Sequence, residues 1–217
     1  MRAIMKKIFF LGLSLSLFAA QANADDFYLS LSGVVGKNRD KITNSKKSGR
    51  ISITSEGGEL GVGTYLTPDF RGELSLGYLV GKKNYTDKEY GIVEHLKLKH
   101  ESYSILLNSY YDFNNHTMAV PYIMAGLGYV NNKINAKYSE YIFANTLIDQ
   151  DKNSGSKKSF AWQLGAGIDM KAANDIKIGL GYRFRDTGSS SFKLKENAIT
   201  VKREPYHLLL ANVKMDF

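Results

Sequence analysis

The last residues of the chain alternate strictly between apolar and polar side chains. Apolar residues stand at every second position from Leu209 to Phe217, and Asn212, Lys214 and Asp216 lie between them. An alternation with a period of two predicts a β-strand with one apolar face and one polar face. Such a strand must place its apolar face against a protein core or against lipid, so the rest of the sequence must supply its neighbouring strands.

The first 24 residues have the organisation of a secretory signal peptide. Basic residues precede the apolar run 8–20, and Ala22-Asn23-Ala24 provides the small residues that a signal peptidase requires. We therefore expect cleavage after Ala24 and a single domain formed by residues 25–217. The apolar run is too short to cross a bilayer as a helix, because that takes about 20 residues. The chain contains no cysteine, so we expect an exported domain that is stabilised without disulfide bonds.

Seven further segments show the same alternation as the tail. Together with the tail they predict eight strands, the first seven of which cover 27–36, 58–66, 70–80, 96–113, 120–130, 159–170 and 176–185. The composition agrees with this prediction, because the chain has 20 Gly, 14 Tyr and 11 Phe but only 3 Pro. Aromatic residues favour strands, and proline disrupts their hydrogen bonding.

The connections between the predicted strands alternate between long and short. The long ones are 37–50, 81–95, 131–158 and 186–203, and the short ones are 67–69, 114–119 and 171–175. Barrels of the bacterial outer membrane are built in this way, with brief periplasmic turns and extended extracellular loops. We therefore predict an all-β fold, an eight-stranded antiparallel up-and-down transmembrane β-barrel. Both termini are expected in the periplasm, and the four long loops are expected outside the cell.

The positions that face the inside of this predicted barrel are polar, charged or glycine. A soluble barrel that holds an apolar ligand, the alternative fold, would need apolar residues there. Eight strands leave an interior just wide enough for side chains, and charges buried in it must pair. We therefore expect a filled interior in which Glu59 and Glu73 meet Arg71, Arg183 or Arg185; a charged conducting pore is the alternative. The expected network comprises Glu59, Arg71, Glu73, Asp169, Lys177, Arg183 and Arg185.

Several segments resemble the opacity-protein family of small outer-membrane surface antigens. The resemblance rests on Gly58–Arg71, Asn108–Phe113, Pro121–Gly128, Ala161–Gly167 and Leu180–Arg185. It covers nearly all of residues 25–217 outside the loops. The family is known for eight-stranded outer-membrane barrels and includes adhesins of obligate intracellular bacteria such as the rickettsiae. The resemblance therefore implies a surface protein that acts through its loops, and it does not define a ligand.

The predicted loops are rich in basic residues, which we call the basic crown. The formal net charge of the chain is +8, and a positive patch attracts polyanions. We expect the basic crown to bind an anionic host glycan or an acidic segment of a host protein, or else to contact lipopolysaccharide phosphates. Nucleic acid is not an expected partner of an exported protein, and we expect a monomer. The basic crown comprises Lys37, Arg39, Lys41, Lys46, Lys47, Arg50, Lys157, Lys158, Lys193 and Lys195.

The sequence gives little support to the other two functional classes, a lipid A-modifying enzyme and a channel for small solutes. His95 and His100 lie near Glu94, Glu101 and Ser102, but a catalytic set must converge in space and no motif indicates that it does. We therefore expect no enzymatic activity. No cluster of histidine or cysteine residues indicates a metal, and no cofactor is expected.

Overall fold

A computed structural model describes residues 27–43, 48–89, 92–115, 117–142, 146–188, 191–194, 199–203 and 205–217. The expected signal peptide lies outside these residues. The described strands are β1 (Phe27–Thr43), β2 (Ser48–Tyr65), β3 (Phe70–Glu89), β4 (Ile92–Asp112), β5 (Ala119–Ile142), β6 (Thr146–Lys171), β7 (Ile176–Asp186), β8 (Ser191–Leu194), β9 (Ile199–Arg203) and β10 (Tyr206–Asp216). No helix within these ranges has the length and apolarity needed to cross a bilayer.

The strands form one closed antiparallel sheet. Neighbours follow the order β10-β7-β6-β5-β4-β3-β2-β1, and β10 also pairs with β1, which closes the barrel. This seam runs from the pair Tyr28–Asp216 to the pair Lys37–His207, and the Phe217 amide donates to the Phe27 carbonyl at 3.0 Å. The predicted eight-stranded antiparallel barrel is therefore confirmed. The short strands β8 and β9 form an additional hairpin, in which β9 pairs with the far part of β1.

The outward face of the barrel is an apolar belt. Every strand of the barrel turns an apolar row outward over about 9–11 residues, the length that a tilted transmembrane strand needs. Aromatic pairs lie at both edges of this apolar belt, with ring centroids 4.9 Å apart for Phe70–Tyr111 at one edge and for Tyr78–Tyr103 at the other. Belt residues include Leu29, Leu31, Val35, Leu60, Val62, Leu74, Leu76, Ile105, Leu107, Leu127, Leu164, Leu180, Leu209 and Val213.

The two ends of the barrel differ greatly in how far the strands extend. At the end that holds Phe27 and Phe217, which we call the short-turn end, the connections after β2, β4 and β6 are brief. At the opposite end, the hairpin end, most of the residues expected in the loops 37–50, 81–95 and 131–158 are paired strand residues. Beyond the edge of the belt the described outward side chains become polar, whereas backbone pairing continues. The strands β1 to β6 therefore extend well into the segments that the sequence assigned to the long connections.

Glycines on the inward face make room for large side chains. A Cβ atom on Gly63 would lie 2.2 Å from Cζ of Tyr28, and one on Gly167 would lie 2.4 Å from the Tyr122 hydroxyl. Both distances are far shorter than a van der Waals contact. The interior is therefore packed by tyrosines that lie directly against glycine backbone.

Candidate functional site

The centre of the barrel holds a carboxylate between two arginines. Arg183 Nη1 lies 2.6 Å from Glu59 Oε2, and Arg185 Nη2 donates to Glu59 Oε1. Arg185 also donates to Gln163 Oε1 at 2.8 Å, and Arg183 donates to the Tyr110 hydroxyl at 3.1 Å. All of these side chains are buried. Hydrogen bonds on both oxygens of Glu59 compensate for the cost of removing the three charges from water.

A second network lies closer to the short-turn end and surrounds Arg71. Its Nε lies 2.9 Å from Asp112 Oδ2, and its Nη2 lies 2.8 Å from Asp169 Oδ2. Lys214 also donates to Asp169. The Arg71 guanidinium lies over the Tyr110 ring, 4.4 Å from its centroid. Its N–H groups therefore pair with the carboxylates while its planar face contacts the ring.

The remaining members of the predicted interior network have other partners. Glu73, expected to meet an arginine, instead accepts hydrogen bonds from Tyr110 at 2.8 Å and from Ser30 at 3.0 Å. Lys177 lies at the rim of the short-turn end, where its Nζ lies 2.7 Å from Asp216 Oδ2. A cavity of about 730 Å³ opens at this rim, and its lining includes Arg71 and Asp169. The charge networks lie between this cavity and the hairpin end.

Apolar side chains fill part of the interior on the hairpin side of Glu59, which the sequence did not predict. One cluster contains Val34, Leu79, Tyr206, Leu208 and Leu210, and a second contains Leu106, Val130 and Ala161. The alternation of the tail assigns Leu208 and Leu210 to the inward face, but nothing in the sequence indicated that this part of the interior would be apolar. The interior therefore combines ionic networks with two dry clusters.

The basic crown is only partly described by the structure. Lys37, Lys157 and Lys158 are exposed. The structure describes the backbone but not the side chains of Arg39, Lys41, Arg50 and Lys193. Lys46, Lys47 and Lys195 lie outside the described residues. The structure therefore does not place these ten residues together as one surface.

A different group of lysines does form a defined surface, just beyond the apolar belt at the hairpin end. On the outward side of β3 to β6, the described side chains include six lysines, and Glu101 is the acid among them. Lys82 lies directly opposite Lys99, and Lys97 lies directly opposite Lys137. We call Lys82, Lys99, Lys133 and Lys158, which lie nearest the belt, the lysine face.

Hydrogen bonds to Glu101 and contacts with tyrosines order the lysine face. Lys99 Nζ and the Tyr78 hydroxyl each donate to Glu101 Oε1 at 3.0 Å. The hydrogen bond from Lys99 lowers the pKa of Glu101, and the same bond raises the pKa of Lys99, so both groups stay charged at neutral pH. Lys133 Nζ lies 5.5 Å from the centroid of the Tyr103 ring. Lys99 and Lys133 are therefore held close to the aromatic edge of the belt.

Lys82 and Lys133 were not identified from the sequence because 81–95 and 131–158 were treated as loops. Lys99 was not identified although it lies within the predicted strand 96–113, and Lys158 was assigned only to the basic crown. These lysines can be identified by continuing the two-residue alternation of each strand beyond the belt. Counted in steps of two, Val80 leads to Lys82, Tyr103 leads through Glu101 to Lys99, and Tyr129 leads to Lys133.

The two histidines whose side chains are described, His100 and His207, do not form a reaction centre with each other. His100 lies inside the barrel, with Nδ1 3.1 Å from the Tyr206 hydroxyl, whereas His207 faces outward and its Nδ1 lies 2.6 Å from the Tyr182 hydroxyl. The side chains of His95 and His116 are not among those described. Within the described ranges, no group of three or more histidine, aspartate or glutamate residues is arranged to hold a metal ion.

A closed barrel with an outward apolar belt and an ionic interior defines an outer-membrane β-barrel protein. The chain belongs to the outer membrane protein beta-barrel domain family, whose match covers residues 9–202. It is therefore a protein of the bacterial outer membrane.

Relatives and solved structures agree with this assignment. "Putative adhesin RC1281" of Rickettsia conorii is 32% identical over 192 residues, which is 83% of this chain and 75% of the relative. "Putative adhesin A1I_01215" of Rickettsia bellii is 26% identical over 220 residues, covering 94% of this chain and 93% of the relative. The fold is similar to that of the outer membrane protein OprG from Pseudomonas aeruginosa, with a TM-score of 0.50 and 14% identity. That similarity covers 91% of this chain and 99% of OprG.

Proposed function

We propose that this protein is a non-catalytic adhesin that presents its hairpin end to the outside of the cell. In this orientation the short-turn end and both termini of the barrel face the periplasm. The names of the Rickettsia relatives support an adhesive role. We further propose that the barrel acts as a monomer.

The observation that carries the proposal is the length of the hairpins at one end only. β5 continues for 13 residues beyond Tyr129, to Ile142, and pairs there with β6. At about 3.3 Å per residue, this segment is ~43 Å long. The opposite end has compact turns, such as the one in which the Leu66 and Thr67 amides donate to the Phe70 carbonyl. A rigid barrel with long paired hairpins at one end can carry a binding surface well beyond the lipid.

The basic residues of the hairpins indicate the chemistry of the partner. The β1–β2 hairpin carries Lys37, Arg39, Lys41 and Arg50 in its strands and Lys46 and Lys47 between them. We propose that this hairpin binds an anionic partner, either a host glycan or an acidic segment of a host protein. Such contacts are individually weak, but together they raise the association rate and the affinity, and they weaken as salt is added.

Neither a channel nor an enzyme is favoured by a specific observation. The interior around Glu59 is occupied by Arg183, Arg185 and Gln163. These hydrogen-bonded side chains fill the space that water would occupy in a pore. The described contacts of His100 and His207 are with tyrosine hydroxyls rather than with a nucleophile.

The proposal is tested by shortening the β1–β2 hairpin, which keeps the β1–β2 register within the belt but also removes the segment of β1 that pairs with β9. Lys37 and Thr54 lie directly opposite each other, so residues 38–53 can be replaced by an Asn-Gly turn that preserves the register. Bacteria that display this variant should adhere less to host cells than bacteria that display the full chain. A second variant of unchanged length, in which Arg39, Lys41, Lys46, Lys47 and Arg50 become Gln, separates charge from shape.

The control is a change of Asn115 and Thr117 to Ala at the short-turn end, which should leave adherence unchanged. Surface amounts are equalised by measuring the heat-modifiable, folded fraction on gels. Equal adherence of the shortened variant and the full chain would refute the role of this hairpin. A loss in the shortened variant that does not occur in the Gln variant would refute the role of its charge.

A further inference from the structure

The barrel wall is closed through the apolar belt but opens beside β6 at the hairpin end. β5 pairs with β6 from Thr146 to Met170, whereas β7 pairs with it only from Trp162 to Lys171. The chain continues from β7 into β8, whose partner in the sheet is β9 and not β6. Within the residues that the structure describes, the segment 146–158 of β6 is therefore a sheet edge that has no neighbouring strand on one side.

A turn at the end of β7 creates this edge. The Gly188 amide donates to Asp186 Oδ1 at 2.8 Å, and Gly188 has a φ of 69°, a left-handed conformation that favours glycine. The Ser159 hydroxyl donates to the Thr187 carbonyl at 2.5 Å, so a side chain, and not a strand ladder, joins β6 to this turn. The sequence Asp186-Thr187-Gly188 therefore directs the chain away from β6 and leaves its edge open.

The backbone groups that face the open edge belong to every second residue of β6. The Ile168 carbonyl lies 2.9 Å from the position of a Cβ on Gly179 of β7, and the Phe160 carbonyl lies 3.6 Å from that of a Cβ on Gly188. Even-numbered residues therefore direct their backbone groups to the side of β7, because this direction alternates along a strand. The register with β5 is continuous over 149–170. The residues whose amides face the open edge therefore include Ser154, Ser156 and Lys158.

An open edge of this length is a template for another strand. Residues 146–158 span ~43 Å at about 3.3 Å per residue, more than twice the length of an average strand. β6 contains no proline, and Ser154, Gly155 and Ser156 have no bulky side chain that would obstruct a neighbour. An added strand gains about one main-chain hydrogen bond per residue, so an extended segment of another protein can bind here through its backbone.

The charge beside this edge selects which strand can be added. The outward side chains described on β5 and β6 beyond the belt include Lys133, Lys137 and Lys158, and there is no acid among them. Lys133 lies directly opposite Ser156, and Lys157, on the other face of β6, is also exposed. A second copy of the chain added at these positions would oppose lysine with lysine, which destabilises an antiparallel pair. A strand with acidic residues at alternate positions would instead pair with the lysines.

We propose that the open edge of β6 binds an extended acidic segment of another protein by β-strand addition. The backbone of the segment pairs with Ser154, Ser156 and Lys158, and its carboxylates contact Lys133 and Lys158. The inference rests on the proposed orientation of the hairpin end for its biological meaning. It adds a second contact surface to the adhesin, separate from the basic β1–β2 hairpin.

Amide hydrogen exchange, followed by NMR on the folded barrel in neutral detergent micelles, tests the edge residue by residue. In the free protein the amides of Ser154, Ser156 and Lys158 should exchange fast, whereas those of Gly155 and Lys157, which face β5, should be protected. The probe is an acetylated and amidated peptide of about eight residues in which threonine and glutamate alternate. At saturation it should slow exchange of the three edge amides at least about tenfold. The same peptide with lysine in place of glutamate should not.

The affinity of the labelled glutamate peptide, measured by fluorescence polarisation, tests the contacts. S156P removes one edge amide and leaves the amides that pair with β5, so it should weaken binding at least about fivefold through a lost hydrogen bond. S156A keeps the amide, and as the matched control it should bind like the unmodified protein. K133Q/K158Q should weaken binding and reduce its dependence on salt. If S156P does not fold, S154P and S154A make the same comparison.

Protection of the three edge amides in the free protein would overturn the proposal, because the edge would already be paired. Equal binding of the glutamate and lysine peptides, or of the proline and alanine variants, would overturn it as well. A dimer in sedimentation that S156P dissociates would identify a second copy of the chain as the occupant and would also contradict it. Loss of adherence in the Gln variant of the β1–β2 hairpin tests the adhesin proposal alone, because that variant retains β6.

Discussion

Arg183 on β7 and Glu59 on β2 meet across the inside of the barrel, with 2.6 Å between Nη1 and Oε2. Two further strands, β10 and β1, separate β7 from β2 around the barrel wall. The ion pair therefore connects opposite parts of the wall and does not merely join neighbours. Arg185 converges on the same carboxylate.

Removing the shared carboxylate should destabilise the barrel strongly. The substitution E59Q leaves two buried arginines without their charge partner, and loss of one member of a buried ion pair costs about 3–5 kcal/mol. The free energy of unfolding in urea, measured for the protein in detergent micelles, gives this difference. The variant E59Q/R183M/R185M, which removes all three charges, should recover much of the loss, and no recovery would contradict the assignment.

Arg71 should not be replaceable by lysine. Its guanidinium binds Asp112 and Asp169 at the same time and lies over the Tyr110 ring, whereas one ammonium lacks the planar fork for these contacts. We expect R71K to lower the unfolding free energy by about 1–3 kcal/mol, the cost of leaving a buried charged group poorly paired. K177R, at the partly exposed rim, is the control and should change stability by less than about 0.5 kcal/mol. An unchanged R71K variant would show that the charge alone matters.

The contact between Gly181 and Tyr122 can be tested by a double-mutant cycle. A Cβ atom on Gly181 would lie 2.6 Å from the Tyr122 hydroxyl, and the next atoms are 3.6 Å away or more. G181A should therefore destabilise the barrel by about 1–3 kcal/mol through overpacking. The same change made together with Y122F, which removes the hydroxyl, should cost much less. Equal costs in the two backgrounds would mean that the clash is relieved elsewhere.

The filled interior predicts that the purified protein does not conduct ions. In planar bilayers the current should stay at the background level, because the charge networks around Glu59 and Arg71 and the apolar clusters at Leu79 and Leu106 occupy the interior. A conducting outer-membrane porin reconstituted under the same conditions is the positive control. Reproducible current steps from the folded protein would contradict the prediction.

Alternation along the strands was enough to predict which residues face lipid and which carry the interior charges. Glu59, Arg71, Arg183 and Arg185 were identified because each lies next to an outward apolar residue, such as Leu60, Phe70 or Phe184. Their individual partners were not, since the pairing of Arg71 with Asp112 rather than with Glu73 depends on the barrel register and on side-chain geometry.

Two other features could not be predicted from hydrophobicity. The alternation of the tail places Leu208 and Leu210 inward, but it does not reveal that they pack with Val34 and Leu79 in an apolar cluster. Lys99 lies in a segment where leucine and lysine alternate, but Lys82 follows Gly81 and precedes Lys83, so hydrophobicity gave no direction for Lys82. Only backbone pairing, which composition does not reveal, placed them opposite each other.

The occupied interior has a consequence for the evolution of the surface. Because the ionic networks and the apolar clusters lie within the barrel, substitutions in the hairpins need not open a leak across the outer membrane. In the proposed orientation, a lineage under immune selection can then change the hairpins while the permeability barrier stays intact. The filled barrel therefore separates the permeability of the membrane from sequence changes in the hairpins.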